Sequence, residues 1–325
     1  MKRYYIPPLI IIVFSCLTSY AQTSGSDRLQ QLRAAEDSMK YMARDIIQRP
    51  SGEERIWADS LFTRLLVRTL KIQHSFHFPF DSLETISRLY APDSSFRIIT
   101  WQLVVNENQC RQHGAIQLNT KDGSLKLFPL IDKSDLIDNI GDTVTDHRAW
   151  IGAVYYRILM NQSGNKRIYT LLGYDENNER STKKYMETLS WNEQGPIFGG
   201  RYIGFDADTG RRRPDCSRYV MEFKKYGRAR LNYDEELGLI IAEHLQSETN
   251  EPNKKWTYVP DGDYEGFKWK NGKWVHIEKV FTQVTPEGQA PVPKPIREAN
   301  GDPLIDKLNP PTPNSKKKGG GKKEQ

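Results

Sequence analysis

Three groups of residues are spaced as catalytic or metal-binding residues often are. His74 and His77 stand three positions apart, which on a helix sets two imidazoles on one face, as a pair of metal ligands. Asp81 is the nearest third ligand, but Pro79 interrupts any helix between them, and no metal is expected. Asp206 and Asp208 precede Gly210 as in a calcium loop. The glycine comes one position too early for an EF-hand and the fifth-position oxygen is missing, so a plain turn is expected. Asp261, Asp263 and Glu265 offer the carboxylates that a glycoside hydrolase sets on either side of a scissile bond. Asp261 and Asp263 also flank Gly262, where aspartate commonly satisfies turn backbone. No Gly-x-Ser-x-Gly elbow, phosphate loop or dinucleotide fingerprint is present, and no cofactor is expected.

A fourth group suits binding rather than catalysis. Asn271-Gly272 is the preferred pair for a two-residue type I′ hairpin. That register sets Lys270 opposite Lys273, Trp269 opposite Trp274 and Phe267 opposite His276, so that Phe267, Trp269, Trp274 and His276 share a face. Turned outward, they form an apolar platform suited to sugar rings or a protein partner; turned inward, they are core. Cys110 and Cys216 match no zinc or redox spacing and are the candidates for a disulfide in an oxidising compartment.

The elements that must position these groups follow from periodicity. Leu29, Leu32, Met39, Met42 and Ile46 recur at three- and four-residue steps, and Ile56, Trp57, Leu61, Leu65, Leu66 and Leu70 make a second stripe behind a Ser51/Glu54 capping box. A helical hairpin is expected over residues 22–78. From about Phe96 the period becomes two, with Tyr219, Met221 and Phe223 on one face of a strand. Similar β-rich runs lie at Phe96 to Val105, Ala115 to Leu118, Leu125 to Ile131, Ile151 to Met160, Ile168 to Tyr174, Tyr185 to Trp191, Tyr202 to Phe205 and Leu239 to Ala242. Turn residues separate them, among them Asp122-Gly123, Gly195-Pro196, Asp208-Thr209-Gly210 and Pro260-Asp261-Gly262. The expected class is α+β, mainly antiparallel: the hairpin, then a β-meander over 79–282 closed as a sandwich, a barrel or a curled sheet.

The chain has 325 residues, 37% of them hydrophobic, and a formal net charge of +6. The excess sits at the ends. Lys2 and Arg3 open the chain, Lys316, Lys317, Lys318, Lys322 and Lys323 close it, and between Tyr4 and Ser315 basic and acidic residues balance. A nucleic-acid reader needs its positive charge on the folded surface, so that class is excluded. Lys2-Arg3, the apolar stretch from Leu9 to Leu17 and Ser19-Tyr20-Ala21 read as a secretory signal over 1–21, with the mature chain starting at Gln22. The rival is a lipobox at Val13-Phe14-Ser15-Cys16, which would make an outer-membrane lipoprotein through Cys16. Residues 283–325 are rich in proline, then in lysine and glycine, and are expected to be a disordered tail whose lysines make weak contact with an anionic surface.

Phe78-Pro79-Phe80-Asp81-Ser82-Leu83, Phe96 to Trp101, Tyr169 to Asp175, and Pro260 to Phe267 followed by Asn271-Gly272-Lys273-Trp274 together resemble uncharacterised exported proteins of Bacteroidetes. The resemblance spans most of Phe78 to Val280 and implies an exported bacterial protein. It carries no activity and no functional residue. Asp37-Ser38-Met39, Asp59-Ser60-Leu61 and Asp81-Ser82-Leu83 resemble the three-residue acceptor of Bacteroidetes O-glycosylation. The expectation is a periplasmic or extracellular, non-catalytic envelope or binding protein with a glycan or envelope protein as partner. The alternative is a secreted or periplasmic hydrolase of glycans or peptides.

Overall fold

The computed structural model describes residues 24–206, 208 and 213–281, within one compact unit that ends at Phe281. The expected signal segment with Cys16, the tail with its five lysines, and Thr209 and Gly210 of the expected turn lie outside the described residues.

Two helices come first, α1 (Ser24–Gln48) and α2 (Gly52–Leu70). The capping box opens α2: Glu54 N–H donates to Ser51 Oγ at 3.2 Å and Ser51 N–H to Glu54 Oε2 at 3.3 Å. Five of the eleven residues of the expected apolar stripes are buried, Leu32, Met39 and Ile46 on α1 and Leu66 and Leu70 on α2, and Met42, Leu61 and Leu65 are half-buried. Their outlying members Leu29, Ile56 and Trp57 are exposed, and Phe62, which they omitted, is central.

Fifteen strands follow among the described residues. In chain order they are β1 (Ser87–Tyr90), β2 (Phe96–Asn106), β3 (Gln109–Leu118), β4 (Leu127–Ile131), β5 (Thr145–Asp146), β6 (Val154–Ser163), β7 (Lys166–Asp175), β8 (Ser181–Asn192), β9 (Gly195–Phe198), β10 (Ile203–Gly204), β11 (Arg218–Lys224), β12 (Leu231–Asp234), β13 (Leu239–Ser247), β14 (Tyr258–Lys270) and β15 (Lys273–Ile277). They form three sheets, of order β1-β2-β3-β4, β5-β9-β8-β7-β6 with β11 also on β8, and β10-β15-β14-β13-β12. Pairing is antiparallel except between β10 and β15. The sheets stay open among the described residues, which removes the barrel from the expected closures.

Alternation along the strands explains how the faces are filled. Ile99, Trp101 and Leu103 of β2 pack on the helices, while Phe96 and Ile98 join Ile116, Tyr155, Leu171 and Tyr185 in a second cluster. Leu172, Met186, Met221 and Phe223 of the second sheet meet Ile240, Ala242, Phe267 and Trp274 of the third. The second sheet is therefore buried on both faces, and β7 reads as an almost continuous apolar run rather than an alternating one.

The candidate site: a line of carboxylates and imidazoles

The hairpin joining β14 to β15 has the expected register, with Trp269 paired to Trp274 and Phe267 to His276. Asn271 and Gly272 take φ of 53° and 80°, the left-handed pair that a type I′ turn needs. The patch faces inward. Phe267 is 0% exposed, and Trp274 and His276 are each 1% exposed. Of the two placements open to Phe267, Trp269, Trp274 and His276, the inward one holds, and they form core rather than a solvent-facing binding platform: the third sheet turns these rings onto the second, and Trp274 Nε1–H donates to Thr170 Oγ1 of β7 at 2.8 Å. Trp269, half-buried, packs edge-on against Trp274 with ring centroids 5.4 Å apart.

The expected turn at Pro260-Asp261-Gly262 lies inside β14. Glu243 pairs with Tyr264 and Leu245 with Pro260, so His244 alone stands opposite Asp261, Gly262 and Asp263. This is a bulge, and Gly262 supplies its φ of 96°. The turn residues bend a strand instead of ending it. The bend brings His244 Nδ1 to 2.6 Å from Asp261 Oδ2, with Nε2 3.8 Å from Glu265 Oε1. Asp263 points elsewhere and pairs with Lys279 at 3.1 Å.

Glu265 lies on the inner face with Phe267, and its Oε2 accepts from His276 Nε2–H at 2.8 Å and from the Tyr219 hydroxyl at 3.2 Å. The other ring nitrogen, His276 Nδ1, donates to Asp208 Oδ1 at 2.7 Å. Asp208 Oδ2 then accepts from Arg213 Nη2–H at 2.8 Å. A line of ionisable side chains thus runs Asp261, His244, Glu265, His276, Asp208, Arg213. Phe205 and Phe267 flank the imidazole at 5.1 Å and 5.0 Å, and the Arg213 guanidinium lies 4.1 Å from the Phe205 ring.

The electrostatics follow from that geometry. Burial works against a charged imidazole at His276, but the hydrogen bonds and charges of Glu265 and Asp208 outweigh it and hold the pKa above the usual histidine value. Burial likewise disfavours the two carboxylates, and their bonds to His276 and the Arg213 charge hold both below the usual range. Burial pushes the Tyr219 hydroxyl well up, and the neighbouring Glu265 charge adds to the effect. A groove of about 360 Å³ opens beside Glu265, bounded by Arg213, Tyr219, Glu222, Lys255 and Tyr258.

The other sequence candidates are placed elsewhere. His74 has φ of 63° and His77 ends a single 3₁₀ turn, Ser75–His77, so the shared helical face never forms. Among the described residues no group of three or more His, Cys, Asp or Glu is arranged to hold a metal. Asp206 pairs with Lys273 at 2.6 Å, whereas Asp208 turns inward to His276. Cys110 and Cys216, the candidates for a disulfide, are free: one lies on β3 of the first sheet and the other bridges Ile203 at the third. Burial pushes each thiol up to about 11, far from the thiolate that nucleophilic chemistry needs.

Arg213, Tyr219 and His244 were not legible as site residues. His244 does continue the alternation of Ile240 and Ala242, which would have set it on the inner face. No family model, curated protein or solved structure matches the chain.

Proposed function

We propose that this chain is an exported, non-catalytic binding component of a bacterial cell envelope. The observation that carries the reading is the clamp on His276, whose two ring nitrogens both donate to carboxylates. A ring held this way has no free lone pair to accept a proton, and it releases one only by breaking a buried ion pair. Asp208 and Glu265, the carboxylates that would serve as its partners in acid–base work, are spent on the same ring.

What the site offers outward is the groove beside Glu265. Lys255 Nζ sits 4.4 Å from the Tyr258 ring, and Glu222 accepts from Ser181 Oγ at 2.6 Å. Aromatic faces beside fixed polar groups suit a hydroxyl-rich ligand, and a glycan is the occupant we favour. The packing of inner faces into one shared cluster supports a sandwich of the second and third sheets, which would hold this groove rigid.

Export rests on the leader-like residues 1–21 and on the resemblance to exported Bacteroidetes proteins, with lipidation at Cys16 as the other route to the envelope. The terminal lysines would add weak adhesion to anionic headgroups or lipopolysaccharide.

The test is in two parts. N-terminal sequencing and palmitate labelling of protein from fractionated cells should find Gln22 first in the periplasm or medium, or label on Cys16. Cytosolic protein that keeps Met1 would refute export. The mature chain should bind some members of a glycan array and lose them with Tyr258→Ala, and an array on which Tyr258→Ala changes nothing would refute the groove.

A further inference from the structure

Three triplets of the sequence, Asp37-Ser38-Met39, Asp59-Ser60-Leu61 and Asp81-Ser82-Leu83, have the form of an O-glycosylation acceptor, and the fold sorts them. Ser38 lies in α1 and Ser60 in α2. Each hydroxyl donates to the carbonyl four residues back, of Ala34 at 3.1 Å and of Ile56 at 2.9 Å. Their acids are spent as well: Asp37 pairs with Lys40 at 2.7 Å, and buried Asp59 accepts the Trp101 indole N–H at 2.7 Å. A transferase has to reach the chain on both sides of its acceptor, and a helix that bonds each backbone group internally withholds it.

Ser82 differs on each count. It sits in a turn before β1, where Leu83 N–H donates to Phe80 O at 3.1 Å. Phe80 and Leu83, 0% and 1% exposed, anchor this turn on either side, and Ser82 N–H donates to Glu36 Oε1 at 2.7 Å. The backbone is thus fixed while Asp81 and Ser82 stay exposed. Among the described residues the Ser82 hydroxyl and the Asp81 carboxylate have no hydrogen bond or ion pair. Beside Ser82 opens a pocket of about 380 Å³, lined also by Tyr41, Arg44, Gln48 and Glu84. Tyr41 is exposed, and the side chains of Arg44, Gln48 and Glu84 have no hydrogen bond or ion pair among the described residues. An aromatic ring beside free polar groups gives attached sugars both room and partners.

We propose that Ser82 is an O-glycosylation site, the one of the three triplets that the fold leaves open to modification. The donor is a sugar activated as a glycosyl phosphate. Ser82 Oγ attacks its anomeric carbon, the bond from that carbon to the phosphate oxygen breaks, and the phosphate leaves with the electron pair. The hydroxyl proton passes to a base of the transferase. The inference rests on the reading of the chain as an exported bacterial protein and not on the groove beside Glu265.

Peptide mass spectrometry of the full chain, purified from the cells that natively make it, tests the site, with the N-terminal peptide read in the same sample. The peptide that holds Ser82 should carry added mass in whole sugar residues. Ser82→Ala should abolish that mass and Ser82→Thr should keep it, while Ser38→Ala and Ser60→Ala should leave it unchanged. Bare Ser82 on a chain that has lost Met1 overturns the site alone. Bare Ser82 on a chain that keeps Met1 overturns export and the site together. Sugar confined to Ser38 or Ser60, or added mass that survives Ser82→Ala, overturns the site as well.

Discussion

His276 and Glu265 sit diagonally across the β14–β15 ladder with Nε2 and Oε2 2.8 Å apart, and this contact decides how the third sheet should be understood. The imidazole is 1% exposed and held again on its far side by Asp208. It is a charged group within an otherwise aromatic layer, kept there by two carboxylates.

Removing it should therefore be costly. His276→Gln leaves two carboxylates short of a cation in a buried setting, and stability should fall by about 3 kcal/mol, seen as a lower urea midpoint at unchanged slope. A shift below about 0.5 kcal/mol, the range of ordinary surface changes, would mean that the clamp contributes little.

The clamp also fixes a pH dependence. His276 has a raised folded pKa, so its contribution is complete below its unfolded value of about 6.5 and fades as pH rises through the folded one. Asp208 and Glu265 have depressed folded pKa values, so theirs is complete above about pH 4.5 and fades as pH falls through the folded values. The difference in melting temperature between the parent and His276→Gln should be greatest between these limits and shrink as pH rises above neutrality. A difference that grows with pH would reverse the sign and contradict the clamp.

Burial of the aromatic patch predicts a sharp contrast between two tryptophans. Trp274→Ala empties a packed site and orphans the Thr170 hydroxyl, costing about 3–5 kcal/mol. Trp57→Ala, at a position 64% exposed, should change stability by less than about 0.5 kcal/mol. Equal effects in chemical denaturation would place the patch outside the core.

The hairpin was legible in full because its information is local. A two-residue loop with Asn-Gly fixes the register, and the register fixes every pair that follows. The capping box and most of the helical stripe were legible for the same reason. The bulge was not, because Pro260, Asp261 and Gly262 carry the same composition whether they end a strand or bend one. The chain from Asp208 to His276 joins residues 68 positions apart, and no periodicity reports such a contact. The short strands β1, β5, β9 and β12 were also missed, having at most four residues each, too few to establish a period.

The turn itself gives a further prediction. Gly272 has φ of 80°, and an added Cβ would lie 2.6 Å from Ser163 Oγ. Gly272→Ala should destabilise by about 1–2 kcal/mol, from strain at positive φ together with this contact. Thermal melting that matches the parent would contradict the type I′ geometry.

The free thiols predict slow chemistry. In a Cys16→Ser chain, disulfide reagents at pH 8 should react with Cys110 and Cys216 slowly when folded and fully with both once denatured, since burial pushes each up to about 11. A chain that yields no thiol even when denatured under non-reducing conditions would show that the two had paired.

The most direct test of the account is the protonation of His276, followed by nitrogen-15 resonances of its ring in the folded chain at neutral pH. Both nitrogens should carry protons, with imidazolium shifts that persist past the pH where an ordinary histidine titrates. A neutral ring at pH 7, with one nitrogen bare, would break the clamp between Asp208 and Glu265 and return His276 to the list of groups able to accept a proton.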